Sequence, residues 1–375
     1  MPGDAAPAVL RILRVSGEEV AALSEDQVEE LWNELGSTVK ALKQHLLRLP
    51  AFTGMSIYRL RLVHEGELMP DSQDCRCRLY EGPIELSVVV LDFVALEPSD
   101  QRRVLTAVHD GTVAAVDAFL QMPVDPNDIF EEFDPNLDNL SETHASLLWL
   151  AASRGNVDVA RLLLEARADV NLVNAYGTTP LSAAITYHGD WDTVQLLIKA
   201  NSDIGHADDD GCTPVWLSAE RGRVKIAELL ILLGADPQRA DHRGQTPLLT
   251  ACARCQWEFV KFLLLPQLSL QEPVDANQAD DYGRTPLWFA AENGEFSIVN
   301  LLLFAGADKN KATDSGQTPL WIAASRGHLN TVQLLMMACA DREKTDENDL
   351  CPAAVAEQNG HPDIGQLLRT WQREV

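Results

Sequence analysis

No stretch of this sequence approaches the roughly 18–20 consecutive apolar residues that a membrane-spanning helix requires. The longest runs, around Leu86–Leu96 and Leu229–Leu233, have the size of a strand or part of a helix. The opening residues, MPGDAAPAVLRILRV, lack a basic flank followed by an apolar stretch, so no secretory leader is expected. Basic residues are scarce: 30 Lys and Arg stand against 56 Asp and Glu, a formal charge of −26. A surface of that sign repels phosphate backbones and anionic lipid, so neither a nucleic-acid partner nor membrane insertion is expected. Cysteine is sparse and unpatterned. Of the seven, Cys75 and Cys77 are one residue apart, and Cys252 and Cys255 form an isolated C-x-x-C without a second pair or a nearby His. A structural zinc site needs four such ligands, so no metal or cofactor is expected. Reduced thiols fit an intracellular protein of the cytoplasm or nucleus.

Enzyme signatures are missing as well. The chain has no G-x-x-x-x-G-K, G-x-S-x-G, H-E-x-x-H or G-x-G-x-x-G, and its nine His fall on repeat positions or loops. No catalytic set is expected. What is present is ordinary for a folded chain, 46% hydrophobic and 23% charged residues over 375 positions, enough for two or three domains.

The dominant signal is a repeat. The string T-P-[LV] starts at Thr179, Thr213, Thr246, Thr285 and Thr318, spaced 34, 33, 39 and 33 residues apart. The register extends back to Ser146 and forward to Cys351, and a degenerate copy places Arg102 at the Thr position. About eight units result, over residues 98–375. In DSGQTPLWIAASRGHLNTVQLLMM, Gly316 suits a turn with positive φ, Thr318 can cap a helix, and Pro319 fits its first position. Leu320, Ala323 and Ala324 make a narrow apolar face; Gly327 ends the helix, and Val332, Leu334 and Leu335 line the next. A two-helix unit of this kind cannot bury its stripe alone, so neighbours must stack.

With TPVWLSAERG and LLGAD (Thr213–Asp236) and TPLWFAAENG and LLLFAGAD (Thr285–Asp308), the chain resembles the ankyrin repeat family. The resemblance covers about three quarters of the sequence. It implies an α-solenoid of paired helices with protruding turns, used for protein recognition and, as a rule, not catalytic. The family's His after T-P-L is replaced by Trp149, Trp216, Trp288 and Trp321 in four units, and by Ser182 or Leu249 in others. These tryptophans either fill the seam between first helices or form an exposed ladder for a partner. Five residues further on, Arg154, Arg221, Arg254 and Arg326 recur, with Tyr187 and Asn293 in the remaining units. They either pair locally with acids such as Glu220 and Glu258 or present guanidinium groups to carboxylates of a partner. The turn tips carry Tyr176, Asp209, Asp210, His242, Arg243, Asp281, Tyr282 and Asp314, whose identities the repeat itself does not dictate.

Two insertions break the period. Residues 128–142 (DIFEEFDPNLDNLSE) hold six acids and no base beside Ile129, Phe130, Phe133, Leu137 and Leu140. They are expected either to dock a basic partner or to fold back on the terminal unit. Residues 265–272 make the second insertion, a tolerated loop.

Residues 8–95 lack the repeat. VLRILRV alternates and is followed by Ser16-Gly17 and EEVAAL, reading as a hairpin; QVEELWNELGSTVKALKQHLLRL reads as a helix with Val39, Leu42, Leu46 and Leu47 on one face. IYRLRLVHEGELMPD and IELSVVVLDFV read as further strands. Through GSTVKALKQHL, RLVHEGELMPD and IELSVVVL, this segment resembles the ubiquitin-like β-grasp fold. LDFVALEPSD has no Gly-Gly, so the resemblance implies an integral module, one that contacts ubiquitin receptors through Val63 and Val89 or else caps the repeats. Two roles are expected: a non-enzymatic adaptor binding a protein on the repeats' concave face and tips, or a ubiquitin-pathway component that docks through residues 8–95.

Overall fold

A computed structural model describes residues 10–14, 19–23, 27, 30, 39–48, 60–64, 67–69, 84–90, 97–122, 124–130, 144–264 and 273–371. The Ser16-Gly17 turn, the insertion from 131 to 142 and the insertion 265–272 lie outside the described residues. The chain forms two compact units, Met1–Leu172 and Val173–Val375. The division falls within the repeats rather than at residue 97.

The first unit begins with strands β1 (Leu10–Arg14), β2 (Glu19–Leu23), β3 (Leu60–His64), β4 (Glu67–Leu68) and β5 (Ile84–Val90), with helix α1 (Val39–Leu46) between β2 and β3. They form one sheet in the order β2-β1-β5-β3-β4. β1 pairs antiparallel with β2 and parallel with β5, and β3 pairs antiparallel with β5 and β4. A parallel central pair needs a crossover, which the segment carrying α1 supplies. Ile12, Leu60, Leu62, Leu86 and Val88, alternating along the strands as a one-sided sheet requires, are buried together with Leu42 and Leu46 of α1, and Leu23, Met69 and Lys43 are buried as well.

Two helical hairpins complete this unit: α2 (Pro98–His109) with α3 (Val113–Leu120), and α4 (Leu147–Arg154) with α5 (Val157–Glu165). Aligning Gly111 with later repeats places Arg102 at the helix start, but α2 begins at Pro98, about one turn earlier, with Glu97 at its N-cap. Proline preset for the first helical turn decides the boundary. Ile129–Phe130 and Ala145–Ser146 form a short antiparallel ribbon, β6 and β7, at the base of the acidic insertion. Lys40 of α1 lies 3.3 Å from Glu165 of α5, a half-exposed ion pair.

The second unit is a stack of six hairpins. Their first helices are α6 (Pro180–Tyr187), α8 (Pro214–Glu220), α10 (Pro247–Ala253), α12 (Pro286–Glu292), α14 (Pro319–Ser325) and α16 (Pro352–Gln358). Their second helices are α7 (Trp191–Lys199), α9 (Val224–Leu232), α11 (Trp257–Leu264), α13 (Phe296–Phe304), α15 (Leu329–Met337) and α17 (Pro362–Thr370). Thr179, Thr213, Thr246, Thr285 and Thr318 cap five of the first helices, each hydroxyl accepting from the backbone N–H three residues on at 3.1–3.3 Å. Small residues such as Ala290, Ala291, Ala323 and Ala324 let successive first helices approach, and all four are fully buried. Val299, Leu302, Val332 and Leu335 join them in one continuous core. Gly316 takes φ 83°, and a Cβ there would meet the Asp346 Cα at 2.8 Å.

Polar links recur between neighbouring hairpins. Tip backbones bond from Asp209 N to Tyr176 O, His242 N to Asp210 O, Asp314 N to Tyr282 O and Glu347 N to Ser315 O. Side chains just before the second helices reach back to end carbonyls of the preceding first helix, Gln256 to Glu220 and His328 to Glu292, while Asn359, at the end of its own first helix, donates to Ser325 O. The junction between the α10/α11 and α12/α13 hairpins lacks both links. Asp281 N makes no bond to Arg243 O, and Glu295, an acceptor, stands where the others place a donor.

Candidate functional site

The T-P turn that starts each first helix fixes where the third residue after the Thr points. Trp149, Trp216, Trp288 and Trp321 all sit there and none is more than 8% exposed. The indole Nε1 of Trp216 donates to Gln245 O at 2.9 Å, and that of Trp321 to Leu350 O at 3.0 Å. Each acceptor immediately precedes the N-cap of the next hairpin, so these two tryptophans tie one repeat to the next. The Trp288 Nε1 is buried without a partner. An exposed aromatic ladder is therefore corrected to an internal seam: the indole is too large to stand clear where first helices pack so closely.

Arginines at the far end of the first helices have the opposite character. Arg221, Arg254 and Arg326 have side chains between 46% and 60% exposed. Arg254 Nη2 donates to Glu220 Oε1 at 2.8 Å, and Arg326 Nη2 to Glu292 Oε1 at 2.7 Å, each reaching back one repeat. Arg221 Nε lies 3.6 Å from Glu220 Oε2. Of the two acids expected to pair with this row, Glu220 does so, whereas Glu258 on α11 takes Lys261 at 2.6 Å. In the first unit, Arg154 is half-buried, its Nε buried without a hydrogen bond.

Tyr187 occupies the Arg position of its repeat and is half exposed, as is Tyr176 on the adjacent tip. Partial burial pushes the Tyr187 phenol above its usual range; the Arg221 charge opposes that shift and Tyr176 adds to it.

The tips are built by one acceptor apiece. Asn174, Asp208, Asp241, Asp280 and Asp346 each accept from two backbone N–H groups of their own turn, as in Asp280 Oδ1 with Tyr282 N and Arg284 N. Burial raises the Asp208 carboxyl, partly offset by its bonds from Cys212 and Asp210. Asp210 and Arg243 stand exposed at their tips. Tyr282 is 66% exposed. The Arg284 guanidinium lies 4.9 Å from the ring centres of both Tyr282 and Phe289 and is held by Asp280 at 2.7 Å. Arg284 was not among the sequence candidates; its D-x-x-x-R spacing between two aromatics was the available signal.

Other chemistry is thinly represented. Cys212 and Cys252 are buried and their thiols pushed well up by burial, Cys212 also by Asp208, Asp241 and Asp210. Cys255 is exposed, yet partial burial and then Glu295 and Glu292 raise it too, the reverse of an activated thiol. Among the described residues no cluster of three or more His, Cys, Asp or Glu could hold a metal, and no helix is long and apolar enough to cross a membrane. A cavity of about 390 Å³ between α2 and α3 is lined mainly by Val104, Ala107, Ala115, Ala118 and Phe119. In the sheet, Val63 is half-buried and opposite Ser87, while Val89 is opposite Arg61; the Val89 side chain lies outside the described set.

Stacked helical hairpins with capped starts, a small-residue seam and polar tips define a helical-repeat protein with an exposed face for protein contact. The model for "Ankyrin repeats (3 copies)" matches residues 105–208, 148–241, 183–272, 231–313 and 287–373. The chain belongs to the ankyrin repeat family. Among similar proteins, it is 38% identical over 97 residues to NF-kappa-B inhibitor alpha of Sus scrofa, covering 26% of this chain and 31% of that one. It is 38% identical over 93 residues to "Probable E3 ubiquitin-protein ligase XBOS33" of Oryza sativa subsp. japonica, 24% of this chain and 16% of that one. It is 29% identical over 133 residues to "Ankyrin repeat and KH domain-containing protein mask-1" of Caenorhabditis elegans, 35% of this chain and 5% of that one. The matches span less than a third of any of these three relatives.

Proposed function

We propose that the chain is a non-enzymatic adaptor whose first-helix ends and turn tips bind a protein partner. One observation carries this reading. Arg221, Arg254, Arg326, Tyr176, Tyr187 and Tyr282 are exposed in repeated positions, although the stack is already closed by its buried seam. Tyr282 is held by its stacked Arg284, and Arg254 and Arg326 by their carboxylates, so little ordering cost accompanies binding. Asp210 and Arg243 extend the face along the tips, and Arg154 holds the equivalent position in the first unit. The relative named as an inhibitor of NF-kappa-B is consistent with recognition of a protein. The test is capture of partners by the full chain and by two variants, Arg221→Glu/Arg254→Glu and Tyr282→Ala. Loss of the same partners in both, with melting temperature nearly unchanged, is expected; an unaltered partner set would sink the reading.

A second reading rests on the sheet. Its order β2-β1-β5-β3-β4, with a parallel β1/β5 pair and α1 between β2 and β3, supports a ubiquitin-like β-grasp module over residues 8–95. Such a module would dock on ubiquitin receptors while the repeats hold a client. Val63→Asp in the full chain should then strip ubiquitin receptors from the captured set and leave other partners. Absence of such receptors from the wild-type set would remove this reading and spare the first.

A further inference from the structure

The exposed arginines differ in how completely they are neutralised. Arg326 with Glu292, Arg369 with Glu357 and Arg284 with Asp280 are one-to-one pairs. Glu220 instead serves two guanidinium groups, Arg254 at 2.8 Å and Arg221 at 3.6 Å. Its carboxylate is only 18% exposed and both its oxygens point into this pair, leaving one uncompensated positive charge. Arg221 comes nearest Glu220 through Nε at 3.6 Å, beyond hydrogen-bond length, so neither of its Nη groups is spent on that carboxylate. Tyr187 holds the same register position one repeat earlier and is half exposed, as is Tyr176, and the charge of Arg221 and the phenol of Tyr176 both act on the Tyr187 phenol. On the other side the register continues with neutral Asn293, whose amide donates to Phe289 O. Two guanidinium groups sharing one carboxylate, inside a chain of charge −26, are a local exception to the molecule's electrostatics.

We infer that Tyr176, Tyr187, Arg221 and Arg254 form a receptor for a side-chain carboxylate, and that the partner segment places an Asp or Glu there. This rests on the contact-face reading above and specifies the partner's chemistry. The carboxylate accepts from both Arg221 Nη atoms, the bidentate arrangement a planar guanidinium favours. Selectivity follows from range. At physiological salt, charges further away than about 8 Å are screened, so the acidic body of the protein does not prevent a short-range match. It does disfavour a partner that is acidic throughout. Asp209, Asp210, Asp281, Asp314 and Glu347 on the tips add to that bias. The segment therefore carries its carboxylate toward Arg221 and basic groups toward the tips.

Two labelled peptides test this against the full chain by fluorescence anisotropy: a run of Glu joined to a run of Lys, and the same peptide with Gln for Glu. Non-specific attraction to a protein of charge −26 ranks the Gln–Lys peptide first. The receptor ranks the Glu–Lys peptide first, by about tenfold. Arg221→Gln/Arg254→Gln should reverse that order, whereas Arg369→Gln should leave it intact. If the double variant does not fold, Arg221→Lys keeps the charge beside Glu220 without the fork, and the preference should still fall severalfold. Equal binding of the two peptides, or an order unaffected by the Arg221 variants, overturns the inference. So does a phosphoserine–Lys peptide binding more than about tenfold tighter than the Glu–Lys one, which assigns the site to a phosphorylated partner. If the peptides fail but Arg221→Glu/Arg254→Glu still strips partners from the chain, the inference falls alone; if neither responds, the contact-face reading falls with it.

Discussion

At the scale of single residues, the four tryptophans at one position show how context divides a shared choice. Trp216 and Trp321 donate to the next repeat, whereas Trp288 is as well buried but has no acceptor. Truncating Trp288 to Ala should cost roughly 3–5 kcal/mol, the usual price of emptying an aromatic site. Phe at the same place removes an unpaired N–H, so Trp288→Phe should be milder than Trp216→Phe by about 1 kcal/mol, since the latter gives up the indole bond to Gln245 O and leaves that carbonyl only its bond from Asp241 N. Chemical denaturation of the two variants measures the difference, and equal losses would show that the hydrogen bond contributes nothing. Asp208 offers a pH test. Burial raises its carboxyl in the folded state, so the folded chain binds that proton more tightly than the unfolded one. The associated stability is present below the ordinary carboxylate range and lost as pH rises through the raised value. Asn174 does the same work in its own turn with an uncharged amide. Asp208→Asn should therefore raise the melting temperature at pH 7 and make no difference once the carboxyl is protonated; a drop at pH 7 would mean that the charge itself holds the turn.

Between elements, the junction joining the α10/α11 and α12/α13 hairpins stands apart. It lacks the tip bond and the back-reaching donor, and Cys255, with φ 57°, takes the left-handed position that Gly fills in most repeats. Glu295→Asn should place an amide near the Ala253 carbonyl, as Asn156 does in the same position at His109 O, and stabilise the chain by about 0.5–1.5 kcal/mol. In the wild type the Asp281 amide should exchange faster than those of His242 and Asp314, which have tip acceptors. Uniform exchange across the three would show that the junction is as tight as its neighbours. Elements of this kind were largely legible in the sequence. The Thr-Pro starts fixed five first helices to the residue, because N-cap and first-turn preferences act locally. The start at Pro98 was missed because the repeat register put Arg102 at the Thr position, four residues past the Pro that begins the helix. What periodicity could not reveal was the weak junction, which depends on whether a side chain at one position is a donor or an acceptor.

For the molecule as a whole, the sequence revealed the repeat, but not which of the recurring residues are buried and which exposed. Trp and Arg recur with the same period, so spacing alone left both open to either role. Depth separates them, because the third residue after Thr turns inward and the helix-end arginine outward. Net charge acts at this scale too. With 56 acids and 30 Lys and Arg, like-charge repulsion disfavours the compact state at low ionic strength. The pairs that oppose it, such as Arg254 with Glu220 and Arg326 with Glu292, join exposed guanidinium groups to half-buried carboxylates, and each contributes between nothing and about 1 kcal/mol. Added salt screens both, but repulsion involves many more pairs over longer distances, so its loss dominates. The melting temperature should therefore rise as sodium chloride increases from about 10 mM to about 150 mM, where the Debye length shortens from about 30 Å to about 8 Å. Choline chloride should act alike, since screening does not depend on the cation's identity. A melting temperature that falls instead would mean that the few arginine–carboxylate pairs outweigh the whole excess of acids, and would make those pairs structural supports rather than a surface left over for a partner.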